Sequence, residues 1–435
     1  MRKRLLLAAA ALLLLAAGVA GAYVFQKRQA AADVRGSSTE EFVATDEILE
    51  TLPPPPTTTA PPTETGPAQP PKPPLPGVVW PTYGYDNERH RVAPYPHRPP
   101  YRQLWMFRAR QLLEFPPAIA YGRLYFTNNS GVMFAVNAKT GKRAWRKEIG
   151  RCVAASPAVV RNTVFQAFLN RPPCNSERPP GRLEGEVIAF AAGFGKIRWR
   201  TKLGPTESSP VLAHRRVYVG DWRGRVYSLD ERNGRVRWTF RADGRIKGAL
   251  TLSGNRLYVG TYKGHLYALN AKTGKQLWRS SSQDRLGGRG QFYSTPTAAY
   301  GRVYIGSTDG KVYSYGATSG KLIWSQGTGG FVYSSPAVWR RKVYAGSYSG
   351  WFHALDAATG DVVWRFRANG RISGSPTIMN GVVYFSTLEE RTYALDARNG
   401  RKLWEFADGK YTPLVADAER VYLVGHARVY GMVPR

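Results

Sequence analysis

The sequence predicts an all-β fold: an eight-bladed β-propeller of four-stranded antiparallel blades, closed by an N-terminal strand and preceded by one transmembrane helix and a Pro-rich linker. Tryptophan stands at positions 105, 145, 199, 238, 278, 324, 364 and 404, giving spacings of 40, 54, 39, 40, 46, 40 and 40. A period near 40 with short strands between glycine turns marks a propeller, one sheet per repeat. Composition agrees, because 31 Pro and 45 Gly in 435 residues argue against long uninterrupted helices. The third observation concerns the two ends of the repeat region, where a strand missing from one is present at the other.

Residues 333–369 serve as the type repeat. Ser334 to Val338 opens the first strand, Lys342 to Ala345 forms the second, Phe352 to Asp356 the third, and Val362 to Phe366 the fourth. Apolar and polar residues alternate along these runs, which gives each strand two distinct faces. The same pattern recurs as Tyr218 to Gly220, Tyr227 to Asp230, Gly234 and Trp238, and again as Tyr258 to Gly260, Tyr267 to Asn270, Gly274 and Trp278. The last repeat runs from Tyr411 through Val421, Tyr422, Leu423, Val429 and Tyr430 without a fourth strand. Gln103 to Arg108 matches the fourth-strand pattern with no first three strands before it. Pairing the two completes an eighth blade and removes both open edges.

Upstream, Met1 to Arg4 carries three cations, an apolar run extends from Leu5 to Phe25, and Gln26, Lys27 and Arg28 follow. Twenty-one such residues can cross a hydrocarbon core as a helix. The flanking charge predicts a cytoplasmic N-terminus, a single pass through the cytoplasmic membrane and an extracytoplasmic propeller. A cleaved signal peptide is the competing reading, with Ala20 and Ala22 as small residues at a cleavage site. The domains expected are an anchor over 1–28, a disordered acidic and Pro-rich stalk over 29–77, and the propeller over 78–435. Export would place Cys152 and Cys174 where disulfides persist, and both lie at the open end of an expected hairpin formed by Ala154 to Val160 and Thr163 to Phe168. Two unpaired thiols are the alternative.

The repeats resemble the PQQ-like family, in which a strand is followed by Asp or Asn, a Thr-Gly or Asn-Gly turn and a Trp. The resemblance covers about residues 80–435. It is carried by Asp356, Thr359, Gly360 and Trp364, by Asp396, Asn399, Gly400 and Trp404, and by Asn137, Thr140, Gly141 and Trp145. Trp80 to Asp86 also resembles the entry sequence of quinoprotein dehydrogenases. The family includes quinone enzymes and BamB-like scaffolds that bind no quinone, so the resemblance implies the fold more firmly than an activity. Two repeats depart from the pattern. Ala192, Gly193, Phe194 and Gly195 replace the acidic turn in one, and Gly316 takes the acidic position in another. The fold should survive both, because one turn hydrogen bond contributes only ~0.5 to 1.5 kcal/mol.

The quinoprotein enzymes resembled here place a vicinal cysteine pair, a set of metal-binding oxygens and an Asp base around the quinone. In this chain the cysteines are 22 positions apart, and Glu114, Glu207 and Asp221 can face a central funnel only if the blade loops share one mouth. The histidines at 90, 97, 214, 265, 353 and 426 lack metal-ligand spacing. No Gly-x-Ser-x-Gly elbow is present, and the Gly-Lys pairs lack the context of a phosphate loop. No catalytic residue, metal or cofactor is therefore expected; PQQ with Ca²⁺ is the alternative.

Charge points elsewhere. The formal excess is +32, and residues 1–80 hold seven basic and seven acidic side chains, so the whole excess lies on the repeats. An anionic partner follows. The funnel candidates are Arg151, Glu207, Trp222, Lys247, Arg289, Tyr293, Tyr333, Arg371 and Lys410, with Phe292, Phe331, Tyr411, Tyr262, Tyr348 and Trp351 in or beside neighbouring loops. Cations interleaved with aromatics suit an anionic polymer or an acidic segment. Aromatics packing between blades and charges solvating the rim are the plainer alternative. The expected function is a monomeric, non-catalytic scaffold for an envelope protein or anionic wall polymer, with nucleic acid disfavoured by compartment. The alternative is a PQQ-dependent dehydrogenase of alcohols or sugars.

Overall fold

The computed structural model describes residues 2–43, 77–174 and 184–435. These residues form one N-terminal helix, Arg2–Ala30, and eight sheets, each built on four antiparallel blade strands. Blade 1 holds strands within 118–148, blade 2 within 158–203, blade 3 within 211–241 and blade 4 within 251–281. Blades 5, 6 and 7 follow within 297–327, 337–367 and 377–406. Blade 8 joins Leu414–Ala416, Val421–Val424 and Arg428–Pro434 to the early strand Tyr101–Arg108. That closure is the expected one, with Trp105 opposite Gly431 and Phe107 opposite Val429.

The repeat motif works between blades rather than within one. Trp324 Nε1 of blade 5 donates to Ala357 O in the turn of blade 6 at 3.0 Å, and Trp364 repeats the bond to Ala397 O of blade 7 at 3.2 Å. The glycine of the acceptor turn lies flat on the donor's indole: a Cβ on Gly360 would stand 2.8 Å from Trp324 Cδ2, and its φ is +84°. Trp and Thr-Gly therefore recur together because the ring of one blade packs on the turn of the next, with Trp404 on Tyr101 as the exception at the closure. Blade 2 keeps the turn without its acidic residue, since Trp145 Nε1 still reaches Ala192 O at 2.9 Å. The remaining core is apolar side chains of facing sheets, such as Tyr344, Phe352 and Phe385 between blades 6 and 7.

The axis is filled by the segment before the first blade. Val78–Trp80 pairs with the innermost strand of blade 1, and Val92–Ala93 runs parallel to that of blade 7. Between them, carbonyls of Pro81, Asn87, Glu88 and His90 accept from Val159, Leu252, Ala298 and Val338 of blades 2, 4, 5 and 6. The Asn87 side chain reaches Leu212 O of blade 3. Arg89 is fully buried and donates to Leu250 O at 3.1 Å and Thr82 Oγ1 at 2.9 Å. Seven blades are thus tied to one short stretch of chain.

Cys152 and Cys174 form a disulfide with Cα atoms 5.6 Å apart, as the hairpin reading expected. In the chain-entropy picture a loop of this length stabilises by about 3 kcal/mol. Replacing both cysteines by serine is expected to lower the urea unfolding free energy by about that amount; an unchanged midpoint would contradict it.

The N-terminal expectations fare differently. The anchor over residues 5–25 lies within the helix Arg2–Ala30, but the side chains of residues 1–12 and 14 are outside those described. Among the described residues no helix is long and apolar enough to cross a membrane. The stalk expected over 29–77 falls outside the described residues from 44 to 76. Its described part does not extend freely. Residues 33–36 lie along the outermost strand of blade 5, with Val34 bridged to Ser325, and residues 37–43 cross the blade's turns inward to its innermost hairpin, where Val43 N donates to Tyr300 O. The acidic character that marked this stretch as linker instead meets Lys311 through Asp33 and Lys321 through Glu40.

Candidate functional site

Inter-blade loops and the turns between second and third strands open on the same face, here termed the mouth. They surround a cavity of about 320 Å³ on the axis. Its floor is Tyr83 of the axial segment, whose hydroxyl meets Ser375 Oγ at 2.9 Å and whose ring carries the Arg91 guanidinium 4.2 Å from its centroid. Burial works against the Tyr83 phenolate, but Arg91, Ser335, Ser375 and Arg89 outweigh it and hold Tyr83 below the ordinary tyrosine range.

The walls are aromatic. Tyr293 and Tyr333 meet edge to face with centroids 4.9 Å apart, Tyr333 and Tyr348 likewise at 4.9 Å, and Tyr262 continues the arc 6.0 Å from Tyr293. Phe115 closes on Tyr83 from the other side, and Tyr411 completes the lining. Each ring comes from a different loop, so the cup exists only when the blades are assembled.

One wall carries charge. Lys247 Nζ lies 4.7, 5.2 and 5.7 Å from the ring centroids of Trp222, Tyr262 and Tyr293, and 3.5 Å from Glu207 Oε2. Trp222 Nε1 donates to the same carboxylate at 2.6 Å. Lys247 thus fills an aromatic cage of the kind that accepts an ammonium group. Burial pushes the Glu207 carboxyl up, opposed by Lys247 and Trp222. Glu114, on the loop after the closing strand, is pushed up to about 7, first by burial and then by Glu207.

Of the residues expected at the funnel, Glu207, Trp222, Lys247, Tyr293 and Tyr333 come together here. Arg371 stands at the rim, 5.8 Å from the Tyr348 centroid and 3.6 Å from Glu389. Lys410 lies 3.6 Å from Glu390. Two candidates are corrected. Arg151 is buried and bound to Glu186 at 2.7 Å, so it is committed to the body of blade 2. Arg289 is exposed on the long loop between blades 4 and 5, away from the cup. Phe292 is fully buried between blades, and Trp351 lies under Arg365 and Arg367 of an outer strand. Asp221 is also removed from the funnel, since its carboxylate accepts from Arg223 N, Arg225 N, Gly204 N and Tyr227 and so forms a turn. Tyr83 and Phe115 were missed. Nothing in their local sequence signals that an axial segment and a closing-strand loop meet at one point.

The family model described as outer membrane protein assembly factor BamB matches residues 101–170, 183–350, 272–370 and 309–431, which together span most of the chain. The chain belongs to this PQQ-like repeat family. Among curated relatives of this PQQ-like propeller, tetrathionate hydrolase of Acidithiobacillus ferrooxidans is 25% identical over 142 residues, 29% of this chain and 28% of that one. BamB of Kangiella koreensis is 31% identical over 121 residues, 25% of this chain and 27% of that one. The matched stretch is thus less than a third of either relative. Quinohemoprotein alcohol dehydrogenase from Comamonas testosteroni superposes with a TM-score of 0.68 at 15% identity, over 82% of this chain and 80% of that one. BamB from Moraxella catarrhalis gives 0.62 at 16%, over 77% of this chain and all of the other. Identities this low establish the fold alone.

In the wall of the cup the carboxyls of Glu114 and Glu207 face one ammonium, that of Lys247, which three aromatic rings already surround. Among the described residues no three His, Cys, Asp or Glu side chains are placed to hold a metal ion. The cystine lies behind Phe115 and Trp222 in the wall rather than at the cavity surface.

Proposed function

We propose that this PQQ-like propeller is a non-catalytic binding scaffold on the extracytoplasmic side of the cytoplasmic membrane, anchored through residues 5–25, with the cup receiving a segment of an envelope protein. The single observation that carries this is the cup itself. It offers an arc of aromatic rings and a rim cation, while its interior charges are spent on each other. Such a surface suits insertion of an apolar or acidic side chain from an extended partner. The excess of +32 on the repeats favours partners of opposite charge and faster encounter at low salt.

The experiment is photo-crosslinking in native membranes from Phe331, which is half exposed at the cup. An envelope protein should be trapped, and Arg371→Glu should reduce the yield several-fold at low salt but little at high salt. Capture of an anionic wall polymer instead would replace the partner class. A bound chromophore on adding PQQ and Ca²⁺, with dye-linked oxidation of alcohols or sugars, would overturn the non-catalytic reading.

A further inference from the structure

In most blades the carboxylate or amide that opens the turn before the fourth strand caps the turn's own N–H groups. In blade 6, Asp356 Oδ1 accepts from Ala358 N at 2.8 Å and Thr359 N at 2.9 Å. Blade 5 has Gly316 at that position and no side chain to do this. The cap arrives from far away in sequence. Glu41 Oε2 accepts from Thr318 N at 3.2 Å and lies close to Ser319 N. A Cβ built on Gly316 would run into the Glu41 carboxylate.

The rest of the segment is equally fitted. Gly36 packs on Trp324 and Ala358 where a Cβ would stand 2.6 Å from Trp324 Cδ1. Arg302 donates to Ser37 O and Glu40 O, and the Arg302 and Arg341 guanidiniums lie 5.0 and 5.1 Å from the centroid of Phe42. Blade 5 is thus shaped to receive residues 33–43.

The direction of this contact matters. The segment runs antiparallel to the fourth strand of blade 5, from the mouth face at Asp33 and Gly327 to the opposite face at Val43 and Tyr300. The helix therefore ends at the mouth. Lys27 pairs with Asp284, and Gln283 donates to Ala30 O and Ala32 O. Lys27 is two residues beyond Phe25, the end of the apolar run, a rise of only about 3 Å along a helix. The headgroup layer of a leaflet is roughly 5 to 8 Å thick. The loop beside Lys27 reads Asp284, Arg285, Leu286, Gly287, Gly288, Arg289, with Leu286 56% exposed and both arginines exposed.

From these placements we propose that residues 33–43 are a strap holding the mouth side of blade 5 against the membrane, with the loop Asp284–Arg289 in the headgroup layer. Leu286 enters the acyl boundary, and Arg285 and Arg289 meet anionic lipid phosphates. This rests on the anchor reading of residues 5–25. For the described part of the expected stalk it replaces a spacer with a tether, because only Ala31 and Ala32 lie between the helix end at Ala30 and the first strap residue, Asp33.

The test uses the full chain in vesicles of phosphatidylglycerol and phosphatidylethanolamine. A fluorophore is attached through Leu286→Cys or, on the opposite face, Phe194→Cys, and quenched by a headgroup spin label. Quenching should be several-fold stronger at position 286, and should fall in purely zwitterionic vesicles or with Arg285→Glu and Arg289→Glu together. Gly316→Asp restores the usual turn residue and so should preserve the fold while expelling Glu41; quenching at 286 should then drop towards the level at 194. Equal quenching at the two positions in an inserted chain, or no effect of Gly316→Asp, overturns the strap orientation while leaving the anchor. Failure of the chain to resist carbonate extraction overturns the anchor reading, and this inference with it.

Discussion

Glu114→Gln is expected to stabilise the propeller above pH 7 by up to about 3 kcal/mol and to leave it unchanged at pH 4. Burial and the neighbouring Glu207 raise the Glu114 carboxyl from 4.5 to about 7 in the folded chain. A group raised in this way holds its proton more tightly folded than unfolded. Its favourable contribution is complete below the unfolded value and is lost as pH climbs through the folded one. At about 1.4 kcal/mol per pH unit, the window from 4.5 to about 7 is worth about 3 kcal/mol. Gln keeps the shape and removes the titration. Urea unfolding of both proteins at pH 4 and pH 8 decides it, and a gap that does not open with pH would show that Glu114 is solvated. Glu207 is shifted in the same direction, so the wild type should lose further stability as it ionises.

Gly431→Val should cost about 3 kcal/mol or more, the upper range for forcing a side chain into a packed site. Gly431 lies opposite Trp105 in the blade that joins the two ends, and a Cβ there would collide with the indole. The damage reaches beyond one contact. If the strand Tyr101–Arg108 is pushed off, the strand Arg428–Pro434 is left as an unpaired edge, which invites association between chains. The comparison is Gly193→Ala, at a position open to solvent, which should stay within about 0.5 kcal/mol. Urea midpoints and sedimentation of the two variants read both effects; equal midpoints would show that the closure tolerates expansion.

What could be read from sequence was whatever repeats. Tryptophan at a near-constant interval fixed the blades because the indole of one blade packs on the glycine turn of the next, as Trp324 meets Gly360; at the closure Trp404 meets Tyr101 instead. The closing strand was legible for the same reason, since Trp105 carries the motif without the three strands that normally precede it. Non-repeating chain was opaque. Residues 77–93 bond to blades chiefly through carbonyls, which leave little trace in side-chain pattern, and their bonding partners lie between 40 and 290 positions away. The cup was half legible: Lys247, Glu207 and Trp222 stood out as charge beside aromatics, but Tyr83 and Phe115 depend on that axial segment and on closure. Arg151 looked like a rim cation because a sequence shows charge and not the Glu186 that neutralises it. Gly316 was noticed as a departure, and its meaning lay in Glu41, 275 residues upstream.

The closure also sets an order of events in time. The strand Tyr101–Arg108 is made early, yet its partner Arg428–Pro434 emerges only about 320 residues later. At synthesis rates of roughly 5 to 20 residues per second that is a wait of tens of seconds. Throughout it, a strand containing Leu104, Trp105, Met106 and Phe107 has no mate within its own molecule. A chain built this way depends on being guarded until its last strand is made, and Arg102 and Arg108 at the two ends of the waiting strand supply charge that slows its capture by a neighbour.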